Sequence, residues 1–229
     1  KLKHEGRVHG HPEHGHELSD TMVLRIHAML HQCLKDAEAA HVVARNPTDG
    51  AVVPKASYKP KQILTKEQMD TFLAAVDRNE IWRDFFYTEL TTGLRRGELL
   101  ALQWDDLDFK TGTLTVNKQV YEVKGRLQVS VPKTRASIRR LVLPPGVVEV
   151  LRQYRETVDS RWMFPSPVKE DVPLTPGAVR RRLQIILERA GCKRIRFHDL
   201  RHTFATLSLE SGMDVKTLSA MLGHVSAAT

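Results

Sequence analysis

Cysteine is nearly absent from the 229 residues: Cys33 and Cys192 are the only two, too few and too far apart for a disulfide framework. Each falls in an apolar helical pattern, and so sparse a use of thiols fits a reducing, intracellular compartment. No run of about 18 apolar residues occurs, so no membrane-spanning helix is expected. The opening residues, Lys-Leu-Lys-His-Glu-Gly, have no apolar core behind them and read as no secretory signal. Acidic residues are short as well, and unevenly so. The formal net charge is +8; residues 1–50 hold 6 Lys and Arg against 7 Asp and Glu, whereas residues 51–229 hold 29 against 20. Within 175–201, eight basic side chains, Arg180, Arg181 and Arg182 among them, meet two acidic ones. That imbalance suits a polyanionic partner, most often nucleic acid; a solvated basic helix is the plainer reading that composition leaves open. What is present otherwise, 41% hydrophobic and 27% charged residues, is an ordinary globular composition.

Hydrophobic period organises the chain. His4, His9, His11, His14 and His16 are spaced irregularly among Gly and Pro12 with no cysteine nearby, the pattern of a lead-in loop more than of a metal tract. Ser19 caps an amphipathic helix to about Ala40, on which Met22, Ile26, Met29, Leu30 and Cys33 recur at three and four residues. Residues 47–63 carry three prolines and three lysines without periodicity and read as a linker; Lys59 and Lys61 suit a segment crossing a nucleic-acid backbone and equally a plain solvated tether. Thr65 and Gln68 form a capping box for a helix buried through Met69, Phe72, Leu73 and Val76. A second helix, about 81–92, turns Trp82, Phe85, Phe86 and Leu90 inward and ends at Gly93; a short one follows at about 96–102.

After Gly112 the period becomes two. Leu114, Val116 and Val120 alternate with polar residues, Lys124-Gly125 makes a turn, Leu127, Val129 and Val131 alternate again, and Ile138 to Leu143 form a third strand. One three-stranded antiparallel sheet is expected, with Lys133 and Arg135 in its second connection. Helices follow at about 146–158, 176–190, 199–211 and 214–222, with Gly191 and Gly212 as C-caps. The expected class is mainly α with a small three-stranded antiparallel sheet: residues 1–46 as part of an α-helical domain, 47–63 as linker and 64–229 as the main domain.

Four places gather cationic side chains. Arg95 lies in the turn of Thr-Gly-Leu-Arg-Arg-Gly-Glu, Lys133 in the strand connection, and His224 after Leu222-Gly223. His198-Asp199-Leu200-Arg201-His202 opens a helix, where backbone N–H groups and the positive dipole end favour an anion. Two guanidinium groups, two imidazoles and one ammonium suit a phosphate. His198 and His202 have metal-ligand spacing but lack a carboxylate partner, so neither a metal nor another cofactor is expected.

The boxes T-G-L-R-R-G-E-L-L-A-L-Q-W, H-D-L-R-H-T-F-A-T and L-G-H, with the loop P-K-T-R-A-S-I-R-R between them, resemble the tyrosine recombinases of the phage-integrase family, most of all integrases of conjugative transposons. The resemblance implies a DNA strand-exchange enzyme that works through a 3′-phosphotyrosyl intermediate, on double-stranded DNA, as a dimer on each site and a tetramer in synapsis. The setting it implies is the bacterial cytoplasm. Arg95 and Arg201 would hold the scissile phosphate, which a guanidinium fork fits bidentately. His198 and His224 would hydrogen-bond it, and Lys133 would protonate the leaving 5′-hydroxyl. Glu98 and His202 would support the site, and Arg135, Arg180, Arg181 and Arg182 with Lys59 and Lys61 are candidates for DNA contact. The family's nucleophilic tyrosine falls nine or ten residues past the L-G-H histidine, whereas Thr229 is five past His224. The sequence as given is therefore expected to be trimmed at both ends and not to cleave. A type IB topoisomerase-like enzyme and a non-catalytic DNA-binding derivative of the fold stay open as alternatives.

Overall fold

The computed structural model describes residues 2–12, 14–55, 62–76, 81–131, 138–169 and 171–223. The chain divides into two compact units, Lys1–Pro60 and Lys61–Thr229. Among the described residues no helix is long and apolar enough to cross a membrane.

The first unit is built on α1 (Leu2–Glu5) and α2 (Asp20–Ala39). The Ser19 side chain accepts from the Met22 N–H and starts α2, and Lys3 pairs with Asp20 at 2.9 Å. The expected amphipathic helix is there, but its apolar stripe is open: Val23 is buried while Met22, Met29, Leu30 and Cys33 are exposed. A four-residue helix and short loops are too small to cover it. The lead-in is more ordered than its composition suggests, since His16 Nδ1 lies 2.8 Å from the Arg7 carbonyl and His11 bridges to Gly15. Asn46 and Thr48 tie the end of the helical segment back to His31.

In the second unit α4 (Ile81–Thr92) is the central rod. Phe85 and Phe86 have no exposed surface; Phe86 meets Phe72 on α3 (Lys66–Ala74) and Phe85 meets Phe164 edge to face, while the Phe197 ring lies tilted against Phe85. The capping box that starts α3 is present, with Gln68 N–H donating to Thr65 Oγ1 and Thr65 N–H to Gln68 Oε1. The remaining helices are α5 (Arg96–Leu100), α6 (Pro145–Arg155), α7 (Pro176–Arg189), α8 (Phe197–Glu210) and α9 (Val215–Leu222), all close to the expected spans. A single 3-10 turn covers Trp104–Asp106. Cys192 departs from expectation: it follows the left-handed Gly191 in the turn after α7, not inside a helix.

Among the described residues the strands number five, not three, and they form two sheets. β1 (Leu107–Asp108), β2 (Thr113–Val116) and β5 (Arg139–Val142) make a three-stranded antiparallel sheet in the order β1-β2-β5, with Leu114 opposite Leu141. β3 (Gln119–Val123) and β4 (Arg126–Ser130) form a separate hairpin closed by Lys124 and Gly125, both at positive φ. The expected single strand through Leu114, Val116 and Val120 is broken at Asn117-Lys118, where Lys118 Nζ turns aside to Asp106 at 2.7 Å. Because two residues intervene, Val120 keeps the inward parity of Leu114 and Val116, and the polar Lys118 at the inward position between them marks the break in the pattern. The connection holding Lys133 and Arg135 therefore joins strands of different sheets; those two residues, with Lys59, Lys61 and His224, lie outside the described residues.

Gly93 ends α4 at φ +60°, and a Cβ there would stand 2.3 Å from the Phe204 ring. Gly93→Ala therefore combines a left-handed backbone with overpacking and is expected to cost about 2–4 kcal/mol in urea unfolding. Gly125→Ala, at φ +76° with open space around it, is expected to cost only about 1 kcal/mol.

Candidate active site

The left-handed Gly93 turns the chain out of α4, so that Leu94 drops into the core and Arg95 stands extended at the start of α5. One turn on, Glu98 reaches back: its Oε2 accepts from the Arg95 backbone N–H at 2.9 Å and its Oε1 from Arg95 Nη1 at 2.9 Å. Arg139, from β5, donates to the same carboxylate through both terminal nitrogens, at 3.0 and 2.8 Å. Glu98 and Arg139 are buried, whereas the Arg95 side chain is 44% exposed and offers its guanidinium to a ligand. Burial alone would raise the Glu98 carboxyl; the two Arg139 hydrogen bonds and charge, with the Arg95 donors, outweigh it and hold the group below its ordinary value.

Arg201, on α8, is 3% exposed. Its Nη1 donates to the Gly93 carbonyl at 2.7 Å and its Nη2 to the Leu222 carbonyl at 2.6 Å. These acceptors end α4 and α9, where unpaired carbonyls and the negative dipole end favour a cation. Arg139 Nε takes the Met221 carbonyl at 2.7 Å and Arg95 Nη2 the Gly223 carbonyl at 3.2 Å. Three arginines from three elements thus hold three successive carbonyls at the end of α9. Their proximity shows in Arg201: burial, then the charges of Arg95 and Arg139, pull it down to about 10, against the pull of Glu98 and Glu89. It remains charged at neutral pH.

The start of α8 differs from a free anion site. Asp199 folds back onto the Arg196 N–H at 2.8 Å and pairs with the Arg196 guanidinium, so the helix start carries its own carboxylate. Burial acts against that carboxylate, but the Arg196 donors and the nearby His202 hold it below its ordinary range. His198 is exposed and His202 half-buried, their rings meeting edge to face at 4.6 Å between centroids. Thr203 on the same helix donates to the Asp199 carbonyl and accepts from the Leu64 N–H, fixing the entry to α3.

Beside His198 opens a groove of about 880 Å³ walled by Arg96, Arg180, Arg181, Arg194 and Arg196 over an apolar floor of Ile195 and Phe197. Arg96 and Arg180 also border a second hollow against the β3–β4 hairpin. Arg182 is placed otherwise: it is half-buried with its guanidinium 5.9 Å from the Trp82 ring centroid and does not line the groove. The structure thus brings Arg95, Glu98 and Arg201 into one cluster and sets His198 with Arg180 and Arg181 on one groove. Sequence reasoning missed Arg139, whose signal was an arginine on the inward parity of a strand with Leu141, and the buried Glu89 of α4. Among the described residues no group of three or more His, Cys, Asp or Glu side chains could hold a metal.

Removing the Glu98 carboxylate leaves Arg139 buried without its partner, so Glu98→Ala is expected to cost about 3–5 kcal/mol in chemical denaturation. Since the folded state depresses this acid, its contribution is complete above the ordinary value of 4.5 and is lost as pH falls through the folded value. The stability gap between wild type and Glu98→Ala should accordingly narrow below about pH 4.5 and stay constant above it.

Residues 62–229 match the phage integrase family. The ICEBs1 integrase of Bacillus subtilis (strain 168) is 28% identical over 222 residues, which are 93% of this chain and 60% of that protein. The chain thus spans about three fifths of that relative's length. The Tn1549 transposon integrase, solved in complex with a circular intermediate DNA, superposes with a TM-score of 0.81 at 22% identity, over 91% of this chain and 73% of that one. A lambda integrase tetramer bound to a Holliday junction superposes at 0.65 and 20% identity, covering 95% and 67%. Both superpositions speak to the shared fold, and the match through the Arg95, Arg139 and Arg201 segments carries the assignment: the chain belongs to the phage integrase family, the tyrosine recombinases.

Proposed function

We propose that this chain is the phosphate-binding and DNA-gripping part of a site-specific recombinase, an integrase that cuts and rejoins DNA for integration and excision of a mobile element. The observation that carries the reading is the pair Arg95 and Arg201, anchored on one helix end and braced by the Glu98–Arg139 ion pair. Fixed guanidinium groups of this kind stabilise charge on a transferring phosphoryl group without reorganising during the reaction. Arg95 and Arg201 hold the non-bridging oxygens, His198 and His224 hydrogen-bond them, and Glu98 and His202 support the arrangement. A tyrosine hydroxyl gives its proton to one of these histidines as its oxygen bonds to phosphorus and the bond to the 5′ oxygen breaks, and Lys133 gives that leaving oxygen a proton. Residues 1–46 would form part of a DNA-clamping domain, 47–63 a linker and 64–229 the catalytic domain, working as a dimer on each site and a tetramer in synapsis.

Of the described tyrosines, Tyr154 is buried in the core, Tyr121 lies on the β3–β4 hairpin and Tyr87 is half-buried on α4; none belongs to the arginine cluster. We infer that residues 1–229 bind duplex DNA without cutting it, none of these three tyrosines being placed to attack a phosphate on the arginine cluster.

Two measurements test this. Duplex binding by residues 1–229 should weaken steeply with salt, and Arg180→Ala or Arg181→Ala should each lower affinity several-fold with the salt slope reduced by about one. With a nicked suicide duplex, residues 1–229 should not become covalently attached to DNA, whereas a form extended past Thr229 with a tyrosine-bearing segment should, and Arg201→Ala should slow that attachment by about 10²–10³. Salt-independent binding, or attachment unchanged by Arg201→Ala, would overturn the reading.

A further inference from the structure

Glu89 is a buried acid that the phosphate chemistry leaves unused. It sits mid-α4 with no exposed surface, flanked by Thr88 and Leu90, which are buried too. Among the described residues neither of its carboxylate oxygens has a hydrogen-bond donor. A carboxylate so placed either finds a cation or keeps its proton. Its backbone carbonyl accepts from the Gly93 N–H at 2.8 Å, so Glu89 lies one turn below the residue whose own carbonyl holds Arg201. Among the described residues the charges that act on it are Arg201 from α8, which favours ionisation, and Glu98 from α5, which opposes it. Among the described residues the other helices against α4, namely α3, α6 and α7 with Arg182 over the Trp82 ring, add no charge to those two. Burial is the largest influence, and it pushes the carboxyl well above its ordinary value.

The consequence is electrostatic. Arg95, Arg139 and Arg201 set three positive charges against the single negative charge of Glu98, an excess of two while Glu89 is neutral. A phosphodiester carries one negative charge, and the transition state of its transfer carries more. Resting on the reading that Arg95 and Arg201 hold a DNA phosphate, we propose that Glu89 is a positioning residue for this pocket. It is a proton-bearing carboxyl that leaves the positive excess intact and removes part of it when the proton departs. It touches no substrate and acts through Arg201. By linkage, a bound phosphate tightens the hold of Glu89 on its proton, and loss of the proton weakens phosphate binding.

The test compares wild type with Glu89→Gln, the same shape held permanently neutral, and with Glu89→Met as a second neutral variant should the glutamine fold poorly. Duplex DNA binding is measured from pH 6 to pH 9.5 at fixed salt. The three proteins should bind equally at pH 6, and wild type should fall several-fold below both variants by pH 9.5. Arg201 titrates in all three, so the ratio isolates Glu89. Thermal unfolding without DNA gives a second readout. An acid whose folded value is raised subtracts stability as pH climbs above its ordinary value, so the variants should gain on wild type progressively above about pH 4.5. A growing unfolding gap beside a constant binding ratio would overturn the pocket role of Glu89. Superimposable profiles in both measurements would overturn the proton as well. Wild type that binds no duplex at any pH, while the unfolding gap still grows, would instead overturn the phosphate reading on which the proposal rests.

Discussion

The last turn of α9 leaves three carbonyls in a row, those of Met221, Leu222 and Gly223, and each accepts from a different arginine. Arg139 arrives from a strand, Arg201 from a helix interior and Arg95 from the turn between two helices. Helix ends seek cations, but three guanidinium groups on one helix end repel each other in a low-dielectric interior. Glu98 makes the gathering possible. Its two oxygens accept from Arg95 and Arg139 together, and its charge offsets part of the repulsion that pulls Arg201 down.

The remainder of the second unit serves this junction. The aromatic cluster on α4 holds the helix rigid, and Gly93 releases the chain at its end, delivering a carbonyl to Arg201 and the Arg95–Glu98 turn to the cluster. The three-stranded sheet presents Arg139 inward on the same face as Leu141. A rigid core behind a charged pocket is what preorganisation requires: the dipoles and charges are already fixed before any anion meets them. The same core encloses Glu89, whose carboxylate meets no hydrogen-bond donor among the described residues.

Local signals were legible where the interaction is local. The Thr65–Gln68 box, the Gly93 stop and the Arg95 turn each span four residues or fewer, and the structure contains all of them. The sheet was legible only in class. Val120 keeps the inward parity of Leu114, so the one interruption, Lys118, does not say that the chain leaves one sheet for a hairpin, nor that β5 takes the place beside β2. The start of α8 misled for a related reason. A basic helix start suggests an anion site, but Asp199 already fills it, and Arg201, one turn on, faces two other helix ends.

By itself the sequence determined the helices, their caps and the cationic residues able to meet a phosphate, because propensity, periodicity and side-chain chemistry act within a few residues. Only the tertiary structure decided which cations converge, that Arg139 is the buried partner of Glu98, that Arg182 packs on Trp82 instead of facing the groove, and that Glu89 lies enclosed beneath the pocket. Those outcomes depend on contacts between residues up to 128 positions apart, such as Arg95 with Gly223, and no local pattern encodes which distant carbonyl a guanidinium will find.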